Sequence, residues 1–161
     1  MRGVVVQTGS MQKYTKGSLL LIDDKPLNYA FSNVFEIGAK WPKAYDRVVV
    51  AKNGPYVIAC FRAEGEDQSW WYMPHDEYAL LIEGEMRVDY VEPREEIAAG
   101  PHRNVAGSDM GHMTLRDGSL ASLPARVAYR FRAPRKSLVL LQTKHSPWLT
   151  YAWKDICMTE V

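Results

Sequence analysis

The sequence lacks the features of a membrane protein and of a secreted, disulfide-rich domain. None of its apolar runs approaches the roughly 18 residues that a transmembrane helix needs. Only four residues, Gly3 to Val6, stand between Arg2 and the polar Gln7, which is too few for the apolar core of a signal peptide. Cys60 and Cys157 are too few for a disulfide framework, and reduced thiols are typical of the cytoplasm. We therefore expect a cytoplasmic protein without a membrane segment.

The sequence also lacks an excess of charge of either sign. Its net charge is +1, too close to neutral to indicate a nucleic-acid or membrane surface held by bulk electrostatics, so we expect neither partner. Hydrophobic residues make up 47% and charged residues 24%, as in ordinary globular proteins. With 161 residues and no linker or repeat, the chain is expected to form a single domain over residues 1–161, with a core at about 45–142 and terminal arms packed on it. Residues 1–10 precede a second methionine and carry no functional weight here.

Helical periodicity is nearly absent, with Arg94–Ala99 as the one short exception. Short strand-like segments recur instead at roughly ten-residue spacing, separated by turn signals such as Asn53-Gly54. The weak alternation of Asn33–Gly38 is assigned to this strand-like class. Glu92 to Gly111 is predicted to be a long irregular loop that covers or lines a site. The pattern predicts an all-β jelly-roll sandwich or barrel.

Two stretches carry the most specific pattern. Trp70 to Val88 reads WWYMPHDEYALLIEGEMRV, in which Glu77 is followed seven residues later by Gly84. Asp117 to Arg132 reads DGSLASLPARVAYRFR, with a glycine before a short strand and then a proline. This wording resembles the two motifs of the cupin superfamily over residues 55 to 142. The phrase Leu123-Pro124-Ala125-Arg126-Val127 is similar to one in 3-hydroxyanthranilate dioxygenases. The resemblance implies a double-stranded β-helix of the RmlC-like jelly-roll type.

The resemblance also implies where a metal would be bound, and there the chain departs from the family. Trp71 and Met73 stand at the positions of the two first-motif histidines, and Tyr129 stands at the position of the second-motif histidine. Only Glu77 keeps a metal-ligand side chain. Three or four N/O ligands are needed for iron, manganese or zinc, and an indole cannot ligate such an ion. We therefore expect no metal and no other cofactor.

A relocated metal site is the alternative. His75 and Glu77 share one face of a strand, and His112 lies beside the second motif, so the three could form a two-histidine, one-carboxylate triad. His102 and His145 are interpreted as a loop and a turn residue.

Without a metal, the chemistry that remains is acid–base catalysis. Glu77 and His75 are the candidate base and acid, with the Tyr129 phenol as a hydrogen-bond donor. Trp71 and Met73 are the candidate apolar walls of the substrate pocket. Arg130 and Arg132 are the candidates for binding a substrate carboxylate. Strand alternation places both on the face opposite Tyr129, which counts against this role.

These residues favour a metal-independent isomerase, cyclase, dehydratase or decarboxylase for a small aromatic or enolisable carboxylic metabolite. A metal-dependent ring-cleaving dioxygenase with relocated ligands is one alternative, and a non-catalytic ligand-binding or accessory cupin is another. A homodimer is expected, because cupins pair through exposed strand edges.

Overall fold

The computed structural model describes residues 9–15, 17, 19–31 and 34–152. Within these residues the secondary structure is almost entirely β, which confirms the predicted all-β class. In chain order the elements are β1 (Leu19–Ile22), β2 (Lys25–Phe31), α1 (Val34–Lys40), β3 (Val48–Asn53), β4 (Tyr56–Glu66), β5 (Trp70–Tyr72), β6 (Glu77–Glu83), β7 (Glu85–Pro93), β8 (Gly100–His102), β9 (Gly107–Arg116), β10 (Leu120–Leu123) and β11 (Ala128–Lys144).

The strand β11 joins the two halves of the barrel. All of its pairings are antiparallel. Its first residues, Ala128–Arg132, pair with β7 on one side, and Ala128 and Tyr129 also pair with β5 on the other. After an irregularity between Ala133 and Ser137, the rest of the strand pairs with β4 and β6. One long strand therefore fixes the register of four others.

The remaining strands extend the sheets outward from this frame. The path β1-β2-β3-β4 continues through β11 to β5 and β8, while β10 pairs with β6 and β9 pairs with β7. The predicted hairpin between β3 and β4 is confirmed, but its turn lies one residue later than predicted, at Gly54-Pro55, because Asn53 pairs with Tyr56 as the last residue of β3. Asp23 and Asp24 both have positive φ, at 56° and 52°, and make the two-residue turn between β1 and β2.

The core fills the space between the sheets with side chains from every central strand. Phe61, Tyr129 and Phe131 are almost fully buried, and their rings stack obliquely with centroid separations of 5.4 Å and 5.2 Å. The chain beyond β11 returns to this core. Leu149 and Ala152 are buried there, and Thr150 forms a parallel bridge with Val48. No helix among the described residues is long and apolar enough to cross a membrane.

Three local predictions were wrong. The segment assigned to strand at Asn33–Gly38 lies mainly in the helix α1, whose Ile37 and Gly38 pack inward against β4 and β11. Arg94–Ala99 is not helical. The stretch predicted as a long loop between Glu92 and Gly111 contains β8 and the first half of β9.

Candidate functional site

The barrel interior brings together Trp71, Glu77 and Tyr129, three of the four residues at the cupin ligand positions, and the fourth, Met73, is also buried. Trp71 lies on β5, Met73 directly after it, Glu77 at the start of β6 and Tyr129 at the start of β11. Their exposed fractions are 8%, 3%, 0% and 1% respectively. Tyr129 pairs with Trp71 in the β5–β11 register, and the Met73 carbonyl accepts a hydrogen bond from the Arg126 amide at 2.8 Å. The two motifs thus converge as the sequence predicts.

A fifth residue, Arg47, lies among them and was missed by the sequence analysis. It stands directly before β3, and its side chain is only 4% exposed. Its Nη2 donates to the Tyr129 hydroxyl at 3.0 Å, and its Nη1 lies 3.8 Å from Oε1 of Glu77. Its Cζ lies 3.5 Å from the centre of the Trp71 ring, so the guanidinium packs on the indole. One buried cation therefore contacts the residues at three of the four ligand positions.

Glu77 and Tyr129 are coupled directly. The Tyr129 hydroxyl donates a hydrogen bond to Oε2 of Glu77, while Oε1 of Glu77 has no hydrogen-bond partner in the described structure. Burial raises the pKa of Tyr129 well above its usual value, and Glu77 adds to the rise while Arg47 opposes it. The phenol therefore stays protonated at neutral pH and holds the carboxylate in place.

Asp67 extends this buried network behind the indole. Its Oδ2 accepts the Trp71 indole N–H at 2.9 Å, and its Oδ1 accepts the Ser69 amide at 3.0 Å. Burial raises the pKa of Asp67, although both hydrogen bonds and the charge of Arg47 pull it back down. The indole is thus fixed at its N–H and covered on one face.

Within the described part of the chain, the histidines make their hydrogen bonds outside this network. His75, predicted to pair with Glu77, contacts the Thr143 hydroxyl at 3.2 Å through Nε2. His112 is exposed on β9, where it pairs with Asp89 of β7. His102 contacts the Ala98 carbonyl. Among the described residues, no three His, Cys, Asp or Glu side chains lie close enough to hold a metal ion, so the geometry does not support a relocated triad of His75, Glu77 and His112.

The two predicted carboxylate-binding arginines lie outside the barrel interior. Arg130 is paired with Glu66 at 2.9 Å and packs over the Trp70 ring with its Cζ at 4.5 Å. Arg132 contacts Glu66 at 3.5 Å and Asp89 at 2.7 Å. Their charges are therefore already partnered by carboxylates, as strand alternation away from Tyr129 leads one to expect.

The residues at the cupin ligand positions do not fit a bound iron, manganese or zinc ion. Trp71 offers no lone pair, and the Met73 thioether is a soft donor. Tyr129 is protonated, and Glu77 already faces the Arg47 guanidinium. A second cation at the same place would be repelled by the first. The catalytic and substrate-binding roles predicted for Glu77, His75, Tyr129, Trp71 and Met73 stay predictions.

Comparison with solved structures identifies what this barrel is similar to. A chain of hydroquinone 1,2-dioxygenase PnpCD, solved with Cd²⁺ and 4-hydroxybenzonitrile, is 34% identical with a TM-score of 0.79, and 99% of each chain is covered. A chain of hydroquinone 1,2-dioxygenase from Sphingomonas sp. TTNP3, solved with 4-hydroxybenzoate bound, is 36% identical with a TM-score of 0.78, covering 99% of this chain and 100% of that one. No protein-family model and no curated protein matched the chain.

Hydroquinone 1,2-dioxygenase also contains a longer chain of the same fold. In PnpCD with Fe³⁺, 78% of this chain aligns with only 35% of that chain, at 14% identity and a TM-score of 0.60. An identity this low shows a shared fold and nothing more. The two end-to-end matches are therefore to a shorter type of chain.

These matches correct the main functional prediction. The prediction of a metal-independent isomerase, cyclase, dehydratase or decarboxylase was wrong, because the two chains that match along their full length, at 34% and 36% identity, are chains of dioxygenases. The comparisons support an enzyme and favour the dioxygenase alternative over an acid–base lyase or isomerase. The chain belongs to the cupin superfamily and, within it, to the family of the shorter hydroquinone 1,2-dioxygenase chains.

Proposed function

We propose that the chain is one subunit of a ring-cleaving dioxygenase that acts on hydroquinone or a related para-substituted phenol. In this proposal a longer cupin chain binds the catalytic metal, and the present chain completes the assembly without binding metal itself. The end-to-end similarity to the shorter hydroquinone 1,2-dioxygenase chains supports the reaction class. The contacts of Arg47 carry the division of labour between the two chains.

The molecules bound by the neighbours support the substrate class. Both 4-hydroxybenzonitrile and 4-hydroxybenzoate are phenols with a second substituent in the para position, as hydroquinone is. A 1,2-dioxygenase opens the ring between two adjacent carbons and places both atoms of O₂ in the product. This reaction needs no external reductant, so hydroquinone and O₂ are its complete set of substrates.

The division of labour follows from the barrel interior. In a metal-binding cupin the ligand positions converge on an ion, whereas here the residues at three of these four positions contact a guanidinium. The absence of a His, Cys, Asp and Glu cluster among the described residues agrees with this assignment. The metal that supplies oxygen activation in such an enzyme therefore belongs on the longer chain. A complex of two unlike chains takes the place of the homodimer expected from the sequence.

Co-expression with a longer cupin chain from the same source tests this proposal. Each chain is purified alone and the two together, without a nickel column, and iron, hydroquinone-dependent O₂ uptake and ring-opened product are measured. We expect iron and turnover only in the preparations that contain the longer chain, with full activity requiring both chains. Stoichiometric iron and turnover in the present chain alone would overturn the division of labour. Absence of turnover in the joint preparation, with iron bound, would overturn the reaction class.

A further inference from the structure

We infer that the Arg47 guanidinium is a built-in cation that takes the place of the metal ion in this barrel, and that removing it leaves a binding site for a free guanidinium ion. The inference rests on the same Arg47 contacts as the division of labour in the proposed function, and it deepens that proposal by naming the chemical class of cation that the barrel interior binds. The site consists of Glu77, Tyr129 and Trp71.

The position of the guanidinium is the first argument. It contacts Glu77 at 3.8 Å, the Tyr129 hydroxyl at 3.0 Å and the Trp71 ring at 3.5 Å, and these residues occupy three of the cupin ligand positions. Glu77 is fully buried, and a cation that lies among the residues at the ligand positions offsets the negative charge of its carboxylate. Burial of an ionised carboxylate without a counter-cation is strongly destabilising in general.

The fit to guanidinium in particular is the second argument. A guanidinium is planar, so it can stack on the Trp71 face while its in-plane N–H groups point at oxygen acceptors. It is also more weakly hydrated than an ammonium, which lowers the cost of its burial. A lysine ammonium would keep the charge but lose the stacked plane.

The fixed surroundings are the third argument. Asp67 holds the indole N–H at 2.9 Å, and the Tyr129 hydroxyl is anchored on Glu77. The backbone carbonyl of Arg47 accepts the Thr150 amide at 2.8 Å, which anchors the main chain at this residue. The walls of the site are therefore held by contacts other than the guanidinium itself. A cavity made by shortening Arg47 should keep its shape.

Chemical rescue of Arg47→Ala tests the inference. The melting temperature of the purified 161-residue chain is measured with 0–50 mM guanidinium chloride, against sodium chloride at equal ionic strength. We expect a rise that grows with the logarithm of the guanidinium concentration above its dissociation constant and reaches about 3–6 °C at a tenfold excess over that constant. The wild-type protein should show no rise. The matched control is Arg47→Ala/Glu77→Gln, which lacks the carboxylate and should not respond.

Two further measurements keep the inference open to refutation. Arg47→Lys should melt below wild type even if Arg47→Ala does not fold, and a lysine variant as stable as wild type would overturn the requirement for guanidinium. Rescue of Arg47→Ala by Mn²⁺, Fe²⁺ or Zn²⁺ but not by guanidinium would show a latent metal site and overturn the inference. An equal response of the Glu77→Gln control, or no response of a folded Arg47→Ala, would also overturn it. All of these readouts are stabilities, so they stand or fall separately from dioxygenase activity.

Discussion

Substitution of Gly84 by alanine should destabilise the barrel far more than the same change at Gly111. Gly84 links β6 to β7 with φ at +114°, a conformation that costs a residue with a side chain about 1–3 kcal/mol. An added Cβ would also lie 2.1 Å from Ser137 Oγ and 2.8 Å from Ser137 Cα. Displacing Ser137 costs a further 1–3 kcal/mol or so of packing strain. It also weakens the bonds between the Ser137 hydroxyl and the Glu85 backbone N–H and C=O, each 3.0 Å long and worth about 1 kcal/mol.

The expected loss for Gly84→Ala is therefore about 3–6 kcal/mol in the free energy of unfolding. Gly111 is the matched control, because its φ is +88° and an added Cβ would have no neighbour within 4 Å. Its loss should come from backbone conformation alone, about 1–3 kcal/mol. Urea unfolding followed by tryptophan fluorescence and circular dichroism measures both variants. Equal losses would refute the steric part of the reasoning, and so would the absence of any partial recovery when Ser137→Gly is added to Gly84→Ala.

Three further predictions concern buried groups. Arg47→Met and Glu77→Gln should each lower the free energy of unfolding by about 3–5 kcal/mol, because each leaves its buried polar partner unpaired. The double variant should lose much less than the sum of the two single losses, and additive losses in urea unfolding would contradict the pairing. Burial alone would raise the pKa of Asp89, but hydrogen bonds from two arginines hold it below its usual value. The ionised Asp89 carboxylate therefore stabilises the fold above about pH 4, and this stabilisation is lost as the pH falls through the folded-state pKa. In acid titrations between about pH 5 and 3, the wild type should lose more stability than Asp89→Asn. Burial raises the pKa of the Cys60 thiol, so in a Cys157→Ser background we expect it to react with a thiol reagent only after unfolding; fast labelling of the native protein would contradict its burial.

The fold class could be predicted from the sequence because short stretches of neighbouring residues specify the strands and turns of the barrel. The strand and glycine from Glu77 to Gly84, and the hairpin that turns just after Asn53, are each specified by a few neighbouring residues. Elements without such a signal were missed. The segment around α1 alternates only weakly, and the burial of Ile37 and Gly38 against β4 and β11 becomes apparent only in three dimensions. β8 is three residues long with a central proline, and the first half of β9 has no buried residue, so neither shows the apolar alternation that identifies a strand.

The site was predictable in its positions and unpredictable in its chemistry. The motifs placed Trp71, Glu77 and Tyr129 together correctly, because spacing along cupin strands fixes which side chains meet. Arg47 carries no motif, and nothing in the Arg47–Val50 text distinguishes a buried guanidinium from a surface one at a strand end. The enzymatic prediction failed for a related reason. The missing metal ligands in this chain led to the prediction of an enzyme without a metal. That inference leaves out a second chain that has its own metal site.

The pairing of β11 with four other strands has a consequence for biosynthesis. Synthesis of β5 ends at Tyr72, but its partner strand β11 begins only at Ala128. The strands β4, β6 and β7 are also made before β11, with which each of them pairs. At about 5–20 residues per second, translation from Tyr72 to Ala128 leaves β5 without β11 for roughly 3–11 s, and β7, which ends at Pro93, for roughly 2–7 s. The nascent chain therefore carries uncovered apolar strand faces during this interval, when aggregation competes with closure of the barrel. Slower growth at low temperature and the presence of chaperones should raise the soluble yield of this chain more than that of a helical protein of equal length.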